Sequence, residues 1–154
     1  TLVMPPLFRR LIESLNAFPV RRGEADVAAI KETLRRLKAG RLVTVFPEGT
    51  RTLDGRVGPF LPGVGSLARK GKVPIVPVLI DGAFEAWPRH RKLPGLGRIT
   101  VAYGEPIYPE EHPSLDAQGL MDEAARRVRV LQAQERRRRR LPPLQYEGRE
   151  GATP

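Results

Sequence analysis

The chain has 154 residues, of which 40% are apolar, and this length and composition suit one folded domain with a real core. There is no cysteine, which excludes a disulfide scaffold, a thiolate nucleophile and a thiolate metal site. The formal net charge of +10 favours an anionic partner, either nucleic acid or the anionic face of a membrane. No signal peptide is visible, and no stretch approaches the roughly 20 apolar residues of a membrane span.

The first part of the chain predicts two helices separated by an extended segment. Large apolar residues recur at helical spacing over residues 7–15, a pattern typical of a short amphipathic helix. That helix has two possible roles, packing against the domain core or lying on a membrane surface. Residues 18–20 favour an extended conformation, because the residue before a proline avoids helical angles. Asp26 then predicts the start of a second helix, which Gly40 ends.

The rest of the chain alternates predicted strands and helices. Residues 42–46 form a β-branched, apolar run of the length of a buried strand, and a glycine- and proline-rich loop follows. Further elements are predicted in this order: a short helix over 64–70, a buried strand over 73–80, a strand over 98–103 and a long helix over 115–138. Pro74 and Pro77 each remove a ladder donor, which places the strand over 73–80 at an edge or beside irregular pairing. The fold class is therefore α/β, with a central mixed sheet flanked by helices.

Five consecutive arginines, Arg136 to Arg140, account for half of the net charge. Such a run is typical of a solvated tail. We therefore predict one domain over residues 1–138 and a flexible tail over 139–154. Nucleic-acid binding through the arginines is not expected, because the tail has Tyr146 as its one aromatic residue and no recognisable reading motif.

The strongest candidate site is Glu48-Gly49-Thr50-Arg51, directly after a predicted buried strand, where open α/β sheets place ligands. Gly49 allows a positive φ or a close approach of the backbone, and Thr50 offers a hydroxyl and an N–H. Arg51 has a planar fork of donors that matches phosphate oxygens. Glu48 would repel an anion, so its expected role is to orient or neutralise Arg51. Two interpretations stay open on chemistry alone, a phosphate-holding loop and a surface loop with a local ion pair.

The longer string Val45-Phe46-Pro47-Glu48-Gly49-Thr50-Arg51 resembles the phosphate-binding motif of the 1-acylglycerol-3-phosphate acyltransferase family. Three other segments resemble blocks of that family in the same order: 16–22, which carries Arg22 at the family's arginine position, 58–63 and 73–78. The resemblance covers roughly residues 5–108. It departs at Asn16, where the family usually has glycine.

The resemblance implies a glycerolipid acyltransferase-like fold and a transfer reaction without cofactor or metal. In the family, a histidine acts as general base on the free hydroxyl of a lysophospholipid such as 1-acylglycerol-3-phosphate. The hydroxyl oxygen attacks the thioester of acyl-CoA or acyl carrier protein, which gives phosphatidate. By the same resemblance, Arg22, Glu48, Gly49, Thr50 and Arg51 hold the acceptor's phosphate. The implied location is the cytoplasmic face of a membrane, with an anionic surface as a further partner.

The family's catalytic block, His-x-x-x-x-Asp, has no match in these residues. The two histidines, His90 and His112, follow the candidate loop, and neither has an aspartate five residues later. We therefore assign no catalytic residue and expect these residues alone to be inactive. The chain is interpreted as the carboxyl-terminal part of an acyltransferase whose missing amino-terminal segment supplies the base or an anchor. The alternative is a catalytically inactive module that binds anionic lipid.

A basic, proline-rich loop from Trp87 to Gly97 has two possible roles. Trp87 with Arg89, Arg91 and Lys92 forms a membrane-interface contact in one interpretation, because tryptophan is favoured there and cations attract anionic lipid. In the other, the loop is exposed to solvent and the tryptophan packs back on the core.

Overall fold

The computed structural model describes residues 27–146 with the exception of Arg89 and Lys92. The chain divides into two compact units, Thr1–Val43 and Thr44–Pro154. The described part of the first unit contains helix α1 (Val27–Lys38). This helix ends as the sequence predicts, because Gly40 has a φ of +70° and the amide of Arg41 donates back to the carbonyl of Arg36 at 3.0 Å. Asp26, the predicted cap, lies outside the described residues.

The second unit alternates helices and strands along the chain. Its elements are α2 (Gly63–Gly71), β1 (Val78–Asp81), the one-turn α3 (Ala83–Ala86), β2 (Thr100–Tyr103), a 3-10 turn (Pro109–Glu111) and α4 (Ala117–Arg138). The two strands pair antiparallel, with Val78 opposite Tyr103 and Asp81 opposite Thr100. One isolated antiparallel bridge joins Ile75 to Ile107. In the described part of the chain the sheet is therefore a short antiparallel ladder.

The core of the second unit lies where α4 meets α2 and β1. Four large side chains are fully buried there: Leu79, Ile107, Leu120 and Met121. The close approach of the two helices depends on Gly65, since a Cβ at that position would lie 2.2 Å from the carbonyl oxygen of Ala117. Asp116 fixes the start of α4, because its carboxylate accepts the amide of Gly119 at 2.7 Å.

The predicted buried strand over residues 42–46 is wrong. The structure assigns neither helix nor strand to this segment, and Leu42 is 85% exposed. An apolar, β-branched run becomes a strand only where a neighbour accepts its hydrogen bonds, and within the described residues β1 and β2 pair only with each other. The predicted strand over 73–80 is shorter than expected for a related reason. Pro74 and Pro77 interrupt it, so regular pairing begins at Val78.

The arginine run is not a solvated tail throughout. The carboxylate of Asp81, which is buried at the end of β1, receives Arg139 Nη1 at 3.1 Å and lies 3.9 Å from Arg136 Nη1. A buried carboxylate needs such partners, and they stand one helical turn apart at the end of α4. The interpretation of the run as a solvated tail is therefore wrong for Arg136 and Arg139. The other three arginines, Arg137, Arg138 and Arg140, are exposed.

The predicted flexible tail has a defined path as far as Tyr146. The carbonyl of Pro142 accepts Arg136 Nε at 2.8 Å, and Tyr146 packs against the core cluster. Residues 147–154 lie outside the described part, and the domain boundary at residue 138 stays a prediction. Of the helices that the structure describes, none has both the length and the apolar sequence of a membrane span.

Candidate phosphate-binding site

The candidate loop is a tight turn centred on Gly49. The amide of Gly49 donates to the carbonyl of Phe46 at 3.2 Å, and Gly49 has a φ of +65°, which a residue with a Cβ rarely adopts. The chain then returns alongside itself, because the amide of Leu61 donates to the carbonyl of Pro47 at 3.0 Å. The turn leaves Thr50 exposed at the surface.

Glu48 braces this turn from inside. Its Oε2 accepts the amide N–H of Gly58 at 2.8 Å, which ties the turn to the returning segment. Burial raises the pKa of Glu48, and the hydrogen bond from Gly58 opposes that shift in part. Among the described residues no hydrogen bond or ion pair joins Glu48 to Arg51, so the expectation that Glu48 orients or neutralises Arg51 is wrong.

Arg51 is exposed, and its guanidinium Cζ lies 6.0 Å from the centroid of the Trp87 ring. The ion pairs among the described residues do not include Arg51. Among the described residues, Arg51 therefore does not form the ion pair that the surface-loop interpretation assigns to it. An aromatic ring supports the guanidinium while its N–H donors remain available to an anion.

The structure brings four of the five predicted site residues into one turn, with Glu48 and Gly49 shaping it and Thr50 and Arg51 displayed on it. Arg22 lies outside the described residues, so its role as a second phosphate contact stays a prediction. The turn presents a hydroxyl and a guanidinium on one short segment. That donor set is suited to the oxygens of a phosphate monoester.

A second layer of contacts, which the sequence did not predict, holds the returning segment. The hydroxyl of Tyr146 accepts the amide of Val57 at 3.1 Å and donates to Gln132 Oε1. The side-chain Nε2 of Gln132 donates in turn to the backbone carbonyl of Gly55 at 2.9 Å. These bonds fix residues 55–57 immediately before Gly58, the donor to Glu48. The only signal in the sequence is one aromatic residue in an otherwise charged and proline-rich tail.

The two histidines stand apart from this arrangement. His90 is exposed, and His112 is half-buried where the 3-10 turn ends. No hydrogen bond or ion pair joins either imidazole to a carboxylate in the part of the chain that the structure describes. Neither ring therefore has the aspartate partner that would orient it as a base. The same part of the chain contains no group of three or more histidine or acidic side chains placed to hold a metal ion.

Comparison with known proteins decides the family. The family model described as Acyltransferase matches residues 1–81, slightly more than half of the chain. The chain belongs to the acyltransferase family. A solved acyltransferase structure agrees: the 1-acyl-sn-glycerophosphate (LPA) acyltransferase PlsC from Thermotoga maritima superposes with a TM-score of 0.71 at 30% sequence identity, over 87% of this chain and 54% of that one. This likeness confirms the predicted α/β, glycerolipid acyltransferase-like fold.

Named relatives come from bacteria and from plants. The chain is 30% identical over 125 residues to the 1-acyl-sn-glycerol-3-phosphate acyltransferase of Bacillus subtilis, covering 79% of this chain and 60% of that protein. It is 31% identical over 126 residues to the chloroplastic acyltransferase BAT2 of Brassica napus, which carries the same activity name, covering 80% of this chain and 35% of that protein. The chain thus spans between one third and two thirds of the length of these relatives.

Proposed function

We propose that this acyltransferase-family chain holds the phosphate of a lysophosphatidate-like acceptor during acyl transfer to the acceptor's free hydroxyl. The observation that carries the proposal is that the Arg51 guanidinium is exposed and has no carboxylate partner among the described residues. It stands on a braced turn and is supported by Trp87. The relatives named above act on 1-acyl-sn-glycerol-3-phosphate according to their names, which supports a phosphate-bearing lysolipid as the acceptor.

The residues of the chain contribute positioning rather than proton transfer. Arg51 and Thr50 bind the phosphate, and Glu48 and Gly49 keep the turn in the shape that presents them. A phosphate fixed at this turn places the glycerol hydroxyl at a set distance from it. Arg22 is proposed as the second cation on the same phosphate.

The reaction itself joins the acceptor's hydroxyl oxygen to the acyl carbonyl carbon of a thioester. The C–S bond breaks and the sulfur leaves with the electron pair as a thiolate, while the hydroxyl proton passes to a general base and from it to the sulfur. The donor is an acyl-CoA or an acyl carrier protein, and the site of action is the cytoplasmic face of a membrane. Neither His90 nor His112 is assigned as the base, because no described aspartate orients either ring.

Steady-state acyl transfer by the full-length protein tests this role of Arg51. Replacement Arg51→Ala removes a charge-assisted contact worth about 1.5–3 kcal/mol, so KM for 1-acylglycerol-3-phosphate should rise by at least about tenfold. KM for the acyl donor should not change. The matched control is Arg56→Ala, because Arg56 lies nearby but already pairs with Asp54 at 3.6 Å. An acceptor KM that is equal in the Arg51 variant and the wild type would remove the residue from the phosphate site.

The alternative function is a module that binds anionic lipid without catalysis. The specific observation in its favour is the absence of His-x-x-x-x-Asp from these residues. Both functions need Arg51 to bind a phosphate, so acyl transfer, not binding, separates them. If the full-length protein binds phosphatidate vesicles in preference to neutral ones but transfers no acyl group from either donor, the alternative is correct.

A further inference from the structure

The loop between α3 and β2 displays large apolar side chains that have no place in the core. Leu93 is 77% exposed, Leu96 is fully exposed and Trp87 is 47% exposed. Arg91 and Arg98 are exposed in the same stretch. Single exposed leucines are ordinary on a protein surface, but this one short segment combines three large apolar residues with interleaved cations.

The base of this loop is held by contacts between two of its glycines and Ala86. The amide of Gly95 donates to the carbonyl of Ala86 at 2.7 Å, which closes the loop on a buried residue. Close packing at Gly97 reinforces the closure, since a Cβ there would lie 3.1 Å from Cβ of Ala86.

Trp87 is also prepared for an apolar environment. Its indole Nε1–H donates to the carbonyl of Arg91 at 3.0 Å. Because this donor is already paired within the loop, the ring can leave water without an unsatisfied polar group. The face of the same ring lies 6.0 Å from the guanidinium of Arg51. The apolar loop and the candidate phosphate-binding turn therefore share one side of the second unit.

We infer that the loop over residues 87–98 inserts into the interfacial region of an anionic lipid bilayer. Leu93 and Leu96 enter the acyl boundary, Trp87 lies at the headgroup level, and Arg91 and Arg98 meet lipid phosphates. The insertion brings Arg51 to the depth of the headgroups, where a lysolipid presents its own phosphate. Only this last consequence rests on the proposed function, because binding to vesicles requires no turnover.

A bilayer fits this loop better than a protein partner does. A stable protein interface buries about 800 Å² per partner around a well-packed core, and this loop contributes only Trp87, Leu93 and Leu96 to such a core. A membrane surface needs only a few inserted apolar groups and a positive field, and this chain carries a net charge of +10. The combination of tryptophan, leucine and arginine in one short loop matches the layered chemistry of the interface.

Trp87 is the only tryptophan in the chain, so intrinsic fluorescence reports on this loop alone. The 154-residue chain is titrated with vesicles of equal parts phosphatidylcholine and phosphatidylglycerol. The emission should shift to shorter wavelength, and brominated acyl chains should quench it. Vesicles of pure phosphatidylcholine should give a weaker response, because the cationic contribution is lost. Emission that shifts in neither vesicle, while sedimentation shows the protein bound, overturns the inference.

Variants separate insertion from general adhesion. Leu93→Ser with Leu96→Ser should weaken vesicle partitioning by at least about tenfold, and the matched control Val130→Ser, a 44% exposed residue on α4, should leave it unchanged. Arg91→Glu should weaken binding to the anionic vesicles more than Arg137→Glu does. Equal losses for Arg91→Glu and Arg137→Glu, with no loss for the leucine variant, would show non-specific charge attraction. A leucine variant that binds vesicles normally but no longer binds a protein partner would show a protein interface. Either outcome overturns bilayer insertion.

Discussion

The brace from Glu48 to the amide of Gly58 can be removed in two chemically distinct ways. Glu48→Gln keeps a carbonyl oxygen at the same reach, so the 2.8 Å bond to the amide is retained without the charge. Glu48→Ala removes the acceptor and leaves the half-buried amide of Gly58 unpaired. We therefore expect the glutamine variant to keep the turn and the ligand affinity of the wild type, and the alanine variant to loosen the turn that carries Thr50 and Arg51.

The size of the effect follows from the bond. An unpaired, half-buried amide costs about 1 kcal/mol. In a chain of this size, Glu48→Ala should then lower the melting temperature by about 2–4 °C. Ligand binding must then re-form the turn, which costs the same free energy of about 1 kcal/mol. Affinity for a short-chain lysophosphatidate should therefore fall by about fivefold. Thermal unfolding and isothermal titration calorimetry measure the two quantities on the same samples.

The charge of Glu48 gives a pH dependence with a definite sign. Burial raises the pKa of Glu48, so ionisation of this carboxyl costs more in the folded chain than in the unfolded one. Its contribution to stability is complete below its unfolded-state pKa and is lost as pH rises through the folded-state pKa. The melting temperature of Glu48→Gln relative to wild type should therefore increase from acidic towards neutral pH.

Gly58→Ala attacks the same bond from its other end. A Cβ at Gly58 would lie 2.8 Å from Glu48 Oε2, so the carboxylate must move off the amide. Ligand affinity should fall as it does in Glu48→Ala, although the loss of chain entropy in the unfolded state offsets part of the change in stability. The brace is refuted if Glu48→Gln loses as much affinity as Glu48→Ala, because the charge rather than the hydrogen bond would then matter.

Two further predictions concern contacts that hold the second unit together. Asp81→Ala should lower the free energy of unfolding, measured by urea titration, by about 3–5 kcal/mol, since it leaves Arg136 buried without a counter-charge. The control Asp122→Ala, on the exposed face of α4, should change it by less than about 0.5 kcal/mol. A loss at Asp81 no larger than at Asp122 would mean that the arginines are solvated after all. Tyr146→Phe should lower the free energy of unfolding by about 1–2 kcal/mol, because it leaves the backbone amide of Val57 unpaired, and it should also reduce the affinity for lysophosphatidate. A loss of stability with unchanged affinity would show that residues 141–146 do not support the turn.

The helices were predictable because their signals are local. The apolar spacing of α4 and the glycine that ends α1 act within one or two turns of the chain. The strands were harder to predict from the sequence. Residues 42–46 have the composition of a buried strand, but strand formation depends on a distant partner that composition does not reveal. Pro74 and Pro77, by contrast, predicted irregular pairing correctly, since a missing N–H is a local fact.

For the candidate site, the sequence identified the turn but not its internal contacts. The glycine at position 49 and the exposed arginine at 51 follow from residue chemistry and from the family motif. The partner of Glu48 could not be predicted, because Gly58 donates through its backbone and every residue but proline has that donor. Tyr146 was missed for a similar reason: it meets Val57 across 89 residues of chain, with no motif to mark the contact.

Direct binding of lysophosphatidate tests the central claim most simply. The 154-residue chain is titrated with a short-chain 1-acylglycerol-3-phosphate and with the matching monoacylglycerol, which lacks the phosphate. We predict that the chain binds 1-acylglycerol-3-phosphate but not the monoacylglycerol, and that binding changes the fluorescence of Trp87. Affinity should be at least about tenfold weaker for Arg51→Ala but not for Arg56→Ala. Equal affinity for the two ligands, or an Arg51→Ala variant that binds lysophosphatidate as the wild type does, would contradict the central claim.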